Sequence, residues 1–294
     1  MSWNLKLQEF FNKGCENKEF LQWLNFQWNI EYKCVRRDVD IQGSPERTLS
    51  RIVIEDKDRN LFFLEQFSRK KFETRQNVAL AVDHLSTHGL KEALPYQKSN
   101  QGEFLPFFKE TCFQVSSFLD SSGIKRPDYL MSSEIGEGFA LFLSHLSKAS
   151  KSITFPGQPT PFSINEYIYS LFQKMEIHDP KFYKLYLPFL KFLEKGFLDE
   201  NKKLPVSFCH GDLHPLNVIW NNNKIRAVID WEFAGYKPDI YDAANLVGCA
   251  GIENPEGLGM PMVTTFIKTL REEGSISKKS WNLFPEYILA QRFA

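Results

Sequence analysis

Between residues 207 and 236 the residue types stop looking structural: SFCHGDLHPLNVIWNNNKIRAVIDWEFAGY holds His210-x-Asp212-x-x-x-x-Asn217, then an apolar run over 225–229 that ends in Asp230. These types at this spacing suit phosphoryl transfer. One carboxylate meets an attacking hydroxyl, while an amide oxygen and a second carboxylate hold a magnesium ion on the phosphates. Asn221-Asn222-Asn223 supplies the turn that folds the strand back, in residues that tolerate positive φ. A lone Asp in a loop is most often a cap or turn residue. The joint spacing decides otherwise, since H-x-D-x-x-x-x-N arises by chance in roughly one chain in a hundred, and about a tenth as often with the apolar strand and its Asp. His210 reads as a structural histidine that keeps the loop in shape. Glu232 reads either as a strand-end charge or as a group near the metal or the acceptor.

Those side chains need elements to position them. Over 32–67 the pattern is strand-like: YKCVRRDVDI, the turn Gly43-Ser44-Pro45, LSRIVIED, the turn Lys57-Asp58-Arg59-Asn60, then LFFLEQF, an antiparallel meander. A helix is predicted over 71–87, with Val78, Val82 and Leu85 at helical spacing and His88-Gly89 as its stop. A further strand pair is predicted at 103–108 and 113–117. Beyond it the chain turns helical, with helices expected over 134–147, 163–175, 181–197, 258–271 and from Trp281 onward. Strands and one helix first, then mainly helices, make an α+β arrangement.

Composition sets outer bounds. The 294 residues suffice for one large or two modest domains. Lys+Arg and Asp+Glu both number 36, so no global basic field recruits nucleic acid or an anionic membrane. Five cysteines, far apart and without C-x-x-C, argue against a disulfide framework or a zinc site. No secretory h-region or membrane span stands out, and a cytoplasmic location is expected. The 27 phenylalanines read as core. Neither G-x-x-x-x-G-K-[ST] nor a strand-preceded dinucleotide fingerprint is present. Cys209, His210, Asp212 and His214 are too crowded for one tetrahedral zinc.

HGDLHPLN resembles the catalytic loop of aminoglycoside phosphotransferases and type II homoserine kinases, and IDWEFAGYKPDIYDAANL is similar to the magnesium segment of choline and ethanolamine kinases. The likeness implies a protein-kinase-like bilobal fold: an N-terminal helical extension over 1–30, a nucleotide-binding N-lobe over 31–117 made of a small antiparallel sheet plus a helix, and a mainly helical C-lobe over 118–294 that carries catalysis and acceptor binding. It implies ATP and Mg2+ as cofactors and a small-molecule acceptor as partner. Asp212 becomes the catalytic base, Asn217 and Asp230 the metal ligands, and Asp242 in YDAAN an acidic support of the helical lobe. No activation loop or A-P-E segment follows Asp230, so peptide substrates are not expected.

The first lobe departs from the pattern. The resemblance assigns the phosphate-covering Gly-rich turn to Gly43-Ser44. It also asks for a cation on the next strand, where LFFLEQF has Glu65, and a glutamate on the following helix, where Arg75 stands. The expectation is a Glu65–Arg75 ion pair of reversed polarity, with phosphate contact from Arg75 or Arg51; an exposed Glu65 on an edge strand is the alternative. Glu65 also keeps open a second reading, a nucleotide-binding pseudokinase that serves as a regulatory or scaffold module. Aminoglycosides, amino alcohols, hydroxy amino acids and sugars all stay open as acceptors, as does the oligomeric state.

Overall fold

The computed structural model describes residues 18–41, 48–153 and 162–293. The chain forms two compact units, 1–123 with 153–156 and 216–232, and 124–152 with 157–215 and 233–294. Gly43 and Ser44 lie outside the described residues. Among the described residues no helix is long and apolar enough to cross a membrane.

The first unit begins with α1 (Lys18–Trp28), whose Phe20, Leu24 and Trp28 recur every four residues and so share one stripe. β1 (Tyr32–Val35), β2 (Ser50–Asp56) and β3 (Leu61–Ser68) follow, then α2 (Phe72–Thr87), β4 (Phe107–Phe108) and β5 (Thr111–Ser117). The strands form one antiparallel sheet in the order β1-β2-β3-β5-β4. Alternation gives the sheet two faces. Ile52, Ile54, Leu64 and Val115 pack with the α1 stripe on one of them. Phe67 and Cys112 pack with Ala79 of α2 on the other. Glu65, two residues from Phe67, belongs to this second face. β3 is a central strand, which removes the edge-strand alternative for Glu65. Helix α2 buries Arg75 together with Val78, Ala79, Val82 and Leu85. That spacing sets the arginine on the core-facing stripe itself.

The second unit takes up α3 (Ser133–Ala149), α4 (Ile164–His178), α5 (Pro180–Leu193), the single turn α6 (Phe197–Glu200) and β6 (Val206–Cys209). Next, β7 (Val218–Asn221) and β8 (Lys224–Val228) form a hairpin that turns through Asn222 and Asn223, at φ 48° and 64°. The hairpin belongs to the first unit. Val228 N–H donates to the Glu92 carbonyl at 2.8 Å, Trp220 N–H to Ser121 Oγ at 3.0 Å, and Arg226 to the Asp120 carbonyl at 3.2 Å. The sequence boundary at 117/118 does not foresee this return of 216–232.

The chain then re-enters the second unit through β9 (Gly235–Pro238), which pairs with β6, and through α7 (Tyr241–Glu253), α8 (Pro261–Glu273), α9 (Lys278–Asn282) and α10 (Phe284–Ala290). Gly136 of α3 lies directly against the Met262 carbonyl of α8, so any Cβ there would overlap it. Phe139, Phe142, Leu246, Met262 and Phe266 fill this unit's interior.

Several predicted bounds move. The helix expected over 181–197 stops at Leu193, and a turn around Gly196, at φ 159°, separates it from α6. The helix expected from Leu258 starts at Pro261, because proline suits the first helical position and 255–259 form a 3-10 turn. The strand expected over 103–108 shrinks to two residues, and the last predicted helix is broken into α9 and α10.

Candidate active site

In the second unit, the loop after β6 is pinned from within. Asp242, at the start of α7, accepts the N–H of His210 at 2.6 Å and that of Gly211 at 2.8 Å. His210 is fully buried, and its Nδ1 accepts the Asp212 N–H at 3.2 Å. Asn245, one turn along α7, donates to the Leu213 carbonyl at 3.2 Å. Gly211 sits at φ 88°, and a Cβ on it would overlap the Phe233 carbonyl oxygen. Only glycine fits both conditions. Lys237 fixes the other side of that contact, because its Nζ donates to the same Phe233 carbonyl at 2.5 Å.

With the backbone held, the Asp212 side chain stays 35% exposed, 3.6 Å from Nε2 of His214. A carboxylate so placed can accept a proton from a bound hydroxyl. Burial pushes the Asp242 carboxyl up to about 6, against the lowering effect of the Gly211 and His210 N–H groups. Burial likewise pushes the Lys237 ammonium below its ordinary range.

In the first unit, the open end of the β7–β8 hairpin brings Asn217 and Asp230 to one place. The Ile229 N–H donates to the Asn217 carbonyl at 2.9 Å, one step beyond the Val218–Val228 pair. Asp230 follows at φ 63°, a left-handed conformation that costs a non-glycine residue about 1–3 kcal/mol and tends to occur at functional sites. Asn217 is buried. An amide oxygen and a carboxylate are hard donors, which suit a magnesium ion that keeps several waters.

Asp230 also lines a cavity of this unit. Its apolar wall is Phe63, Leu94, Ile219 and Ile229, and its polar wall includes Arg51, Glu65, Arg75 and Tyr96. Arg51 and Glu65 are direct cross-strand partners on β2 and β3. Burial raises the Glu65 carboxyl above its ordinary value, and the nearby Arg75 and Arg51 only partly counter this. Tyr96 is raised by burial and by the Glu65 charge.

The expected Glu65–Arg75 ion pair is not what forms. Arg75 Nη2 lies 3.2 Å from Oε2 of Glu232, both side chains almost fully buried. Its guanidinium also stacks over Phe67, 4.4 Å from the ring centre. The reason is position: the α2 stripe that carries Arg75 meets the segment just after Asp230, and Glu65 is left as a neighbour in charge only. The sequence reading did not single out Gly211, Tyr96, Lys237 or Asn245. Gly211 was legible inside H-G-D as a position that favours positive φ, whereas nothing near Tyr96 marks it.

The family model described as "Phosphotransferase enzyme family" matches residues 49–268. No curated protein matches the chain in sequence. Among solved structures, the chain is similar to an amicoumacin kinase, hAmiN, in complex with AMP-PNP, Ca2+ and Ami. The TM-score there is 0.69 at 13% identity, over 97% of this chain and 86% of that one. It is also similar to the AMP-bound spectinomycin phosphotransferase APH(9)-Ia (TM-score 0.64, 14% identity, 93% of this chain and 86% of that one). The macrolide 2'-phosphotransferase MphH from Brachybacterium faecium gives 0.60 at 12% identity, over 94% and 89%. These likenesses show the α+β, protein-kinase-like fold that the motifs implied.

Proposed function

Because the chain belongs to the phosphotransferase enzyme family, we propose that it moves the γ-phosphoryl group of ATP onto a hydroxyl of a small molecule, with Asp212 as the base and with Asn217 and Asp230 as ligands of Mg2+. The observation that carries this reading is the hairpin closure that bonds the Ile229 N–H to the Asn217 carbonyl and sets the next residue, Asp230 at φ 63°, on the wall of a partly apolar cavity. A purine ring suits that wall, and a metal-bound polyphosphate suits the two oxygen donors. The bound metal supplies charge neutralisation on the phosphates. The chain's own residues supply orientation: the Asp242 and His210 contacts hold the loop backbone, and Asp212 takes the proton from the acceptor oxygen as that oxygen attacks phosphorus. The nucleotide complexes named for hAmiN and APH(9)-Ia support a nucleotide here. The antibiotics in the same names make hydroxyl-bearing antibiotics the first acceptors to test, ahead of amino alcohols, hydroxy amino acids and sugars.

Asp212→Asn tests the assignment. Turnover should fall by at least about a hundredfold while Mg-ATP affinity, read by titration calorimetry, stays near wild type. Turnover close to wild type in that variant would remove Asp212 as the base. One observation favours the pseudokinase reading: Glu65 puts a carboxylate on the wall where a polyphosphate would lie. ATP with Mg2+ that stabilises the fold, with no acceptor phosphorylated and no ATP hydrolysed, would decide for it.

A further inference from the structure

We propose that the acceptor carries a carboxylate in addition to its hydroxyl, and that Arg292, in the 3-10 turn that follows α10, is the side chain that receives it. The proposal rests on the phosphotransfer reading above and deepens it by naming the acceptor class. It concerns the second unit alone, to which Asp212, α7 and the turn Gln291–Phe293 all belong. That turn is anchored on both sides of the arginine. Gln291 is buried, and its Nε2 donates to the Tyr241 carbonyl at the start of α7 at 3.0 Å. The Phe293 ring packs against Phe172 and Tyr186, with centroids 5.3 and 5.8 Å away. The half-buried Arg292 is therefore carried to α7 by its neighbours' contacts.

The side of α7 that it reaches is the one that holds the catalytic loop. Asp242 and Asn245 bind the loop backbone, and Gly248 and Cys249 follow Asn245 by three and four residues on that side. Gly248 makes the room. A Cβ added there would stand 2.5 Å from Nη2 of Arg292, 2.6 Å from Cζ and 2.8 Å from Nε. Glycine is a poor residue for a helix interior, and here its missing side chain is the seat of the guanidinium. Gly248 lies about 4.5 Å along the helix axis from Asn245, the residue bonded to the loop. Cys249 feels the charges on both sides: burial pushes its thiol up, the Arg292 charge and hydrogen bond counter this in part, and the Asp212 charge adds to the rise. Arg292 nevertheless has no ion-pair partner among the described residues. Glu253, one turn beyond Cys249, is taken by Arg126 at 3.1 Å, and Nε of Arg292 is buried without a hydrogen-bond partner. A guanidinium in that state matches a carboxylate, which accepts two parallel N–H groups, and repels a cationic acceptor.

Hydroxyl compounds paired with and without a carboxylate test this: L-homoserine against 3-aminopropan-1-ol, L-serine against ethanolamine, and D-gluconate against D-glucitol, each with Mg-ATP, beside the cationic aminoglycoside kanamycin. In wild type, kcat/KM should favour the carboxylate member of a pair. Arg292→Gln should raise KM for that member about 10- to 100-fold, as expected when a charge-assisted hydrogen bond is lost, with kcat little changed, and should move KM for its partner far less. Arg292→Lys should keep part of the preference. Gly248→Ala retains the arginine but fills its seat, with a residue that suits a helix, and should reproduce the lost selectivity of Arg292→Gln. A wild type that prefers kanamycin or the carboxylate-free members overturns the proposal. Equal losses for both members of a pair in Arg292→Gln overturn it too, because the arginine would then serve the fold and not the acceptor. ATP hydrolysis without transfer to any carboxylate compound also overturns it and leaves the phosphotransfer reading standing. A wild type that neither hydrolyses ATP nor phosphorylates any compound would sink that reading and this proposal with it.

Discussion

The buried pair between α2 and the segment after Asp230 makes a sharp stability prediction. Arg75→Met keeps most of the aliphatic stem and removes the guanidinium, leaving the Glu232 carboxylate, 7% exposed, without the arginine 3.2 Å away. Breaking one side of a buried ion pair costs about 3–5 kcal/mol. The lost contact with the Phe67 ring, at 4.4 Å, contributes about 0.5–2 kcal/mol within the same total. Glu232→Met should cost a comparable amount by stranding the arginine. The double variant Arg75→Met, Glu232→Met removes both charges and should cost no more than about 2 kcal/mol, so the two sites should couple by about 3 kcal/mol or more. Urea denaturation followed by tryptophan fluorescence reads this, since Trp28, Trp220 and Trp231 are all buried in the first unit. A parallel cycle of Arg75→Met with Glu65→Gln should give a clearly smaller coupling, because those two groups interact only through space. A cost below about 1 kcal/mol for Arg75→Met, or equal couplings in the two cycles, would refute the claim that Arg75 belongs to Glu232.

Three further outcomes follow from the site. Gly211→Ala, at φ 88° and against the Phe233 carbonyl, should cost about 1–3 kcal/mol in backbone strain and lower turnover about a hundredfold by displacing Asp212; unchanged stability and rate would show that the loop relaxes freely. Asp230→Ala should weaken ATP binding in the presence of Mg2+ more than in its absence, and equal affinities under both conditions would remove Asp230 as a metal ligand. Asp242, ordinary value 3.8 and about 6 in the fold, binds a proton in the folded state before it does so unfolded. Between those values its contribution to stability therefore falls as pH rises, by up to about 3 kcal/mol. The unfolding free energy of Asp242→Asn relative to wild type should rise by up to that amount from pH 4 to 7, and a flat or opposite difference would show that the carboxyl stays ionised throughout.

How much of this was legible in the sequence depended on whether a feature was local. The H-x-D-x-x-x-x-N spacing, the three-asparagine turn and the apolar strand before Asp230 are short-range, and 215–233 fold into that hairpin with Asn217 and Asp230 side by side. The α2 stripe was legible from Val78, Val82 and Leu85, and the same period reaches Arg75 three residues earlier. Its partner was not legible, because 157 residues separate Arg75 from Glu232 and no period spans that gap. Helix ends moved where Gly196 and Pro261 impose their own geometry, a local rule outvoted in the reading by the run of apolar residues around them. The return of 216–232 to the first unit was hidden for the same reason as the ion pair. It is fixed by hydrogen bonds to the Glu92 and Asp120 carbonyls and the Ser121 hydroxyl, which sequence pattern does not encode.

Seen as charge placement, the departures at positions 65 and 75 are one change and not two. A cation on β3 and a carboxylate on the following helix would tie that helix to the sheet. With Glu65 on β3, an arginine on α2 could have met it, but the α2 stripe carries Arg75 to Glu232, two residues past Asp230. The helix is thereby tied to the segment that bears a candidate metal ligand, and a displacement of α2 would pull directly on Asp230. Glu65, relieved of that role, faces Arg51 across the β2–β3 register. Glu232 thus has an arginine at 3.2 Å, and Glu65 has one across the strand pair. Those neighbours offset only part of the desolvation that holds the Glu65 carboxyl above its ordinary value on the cavity wall.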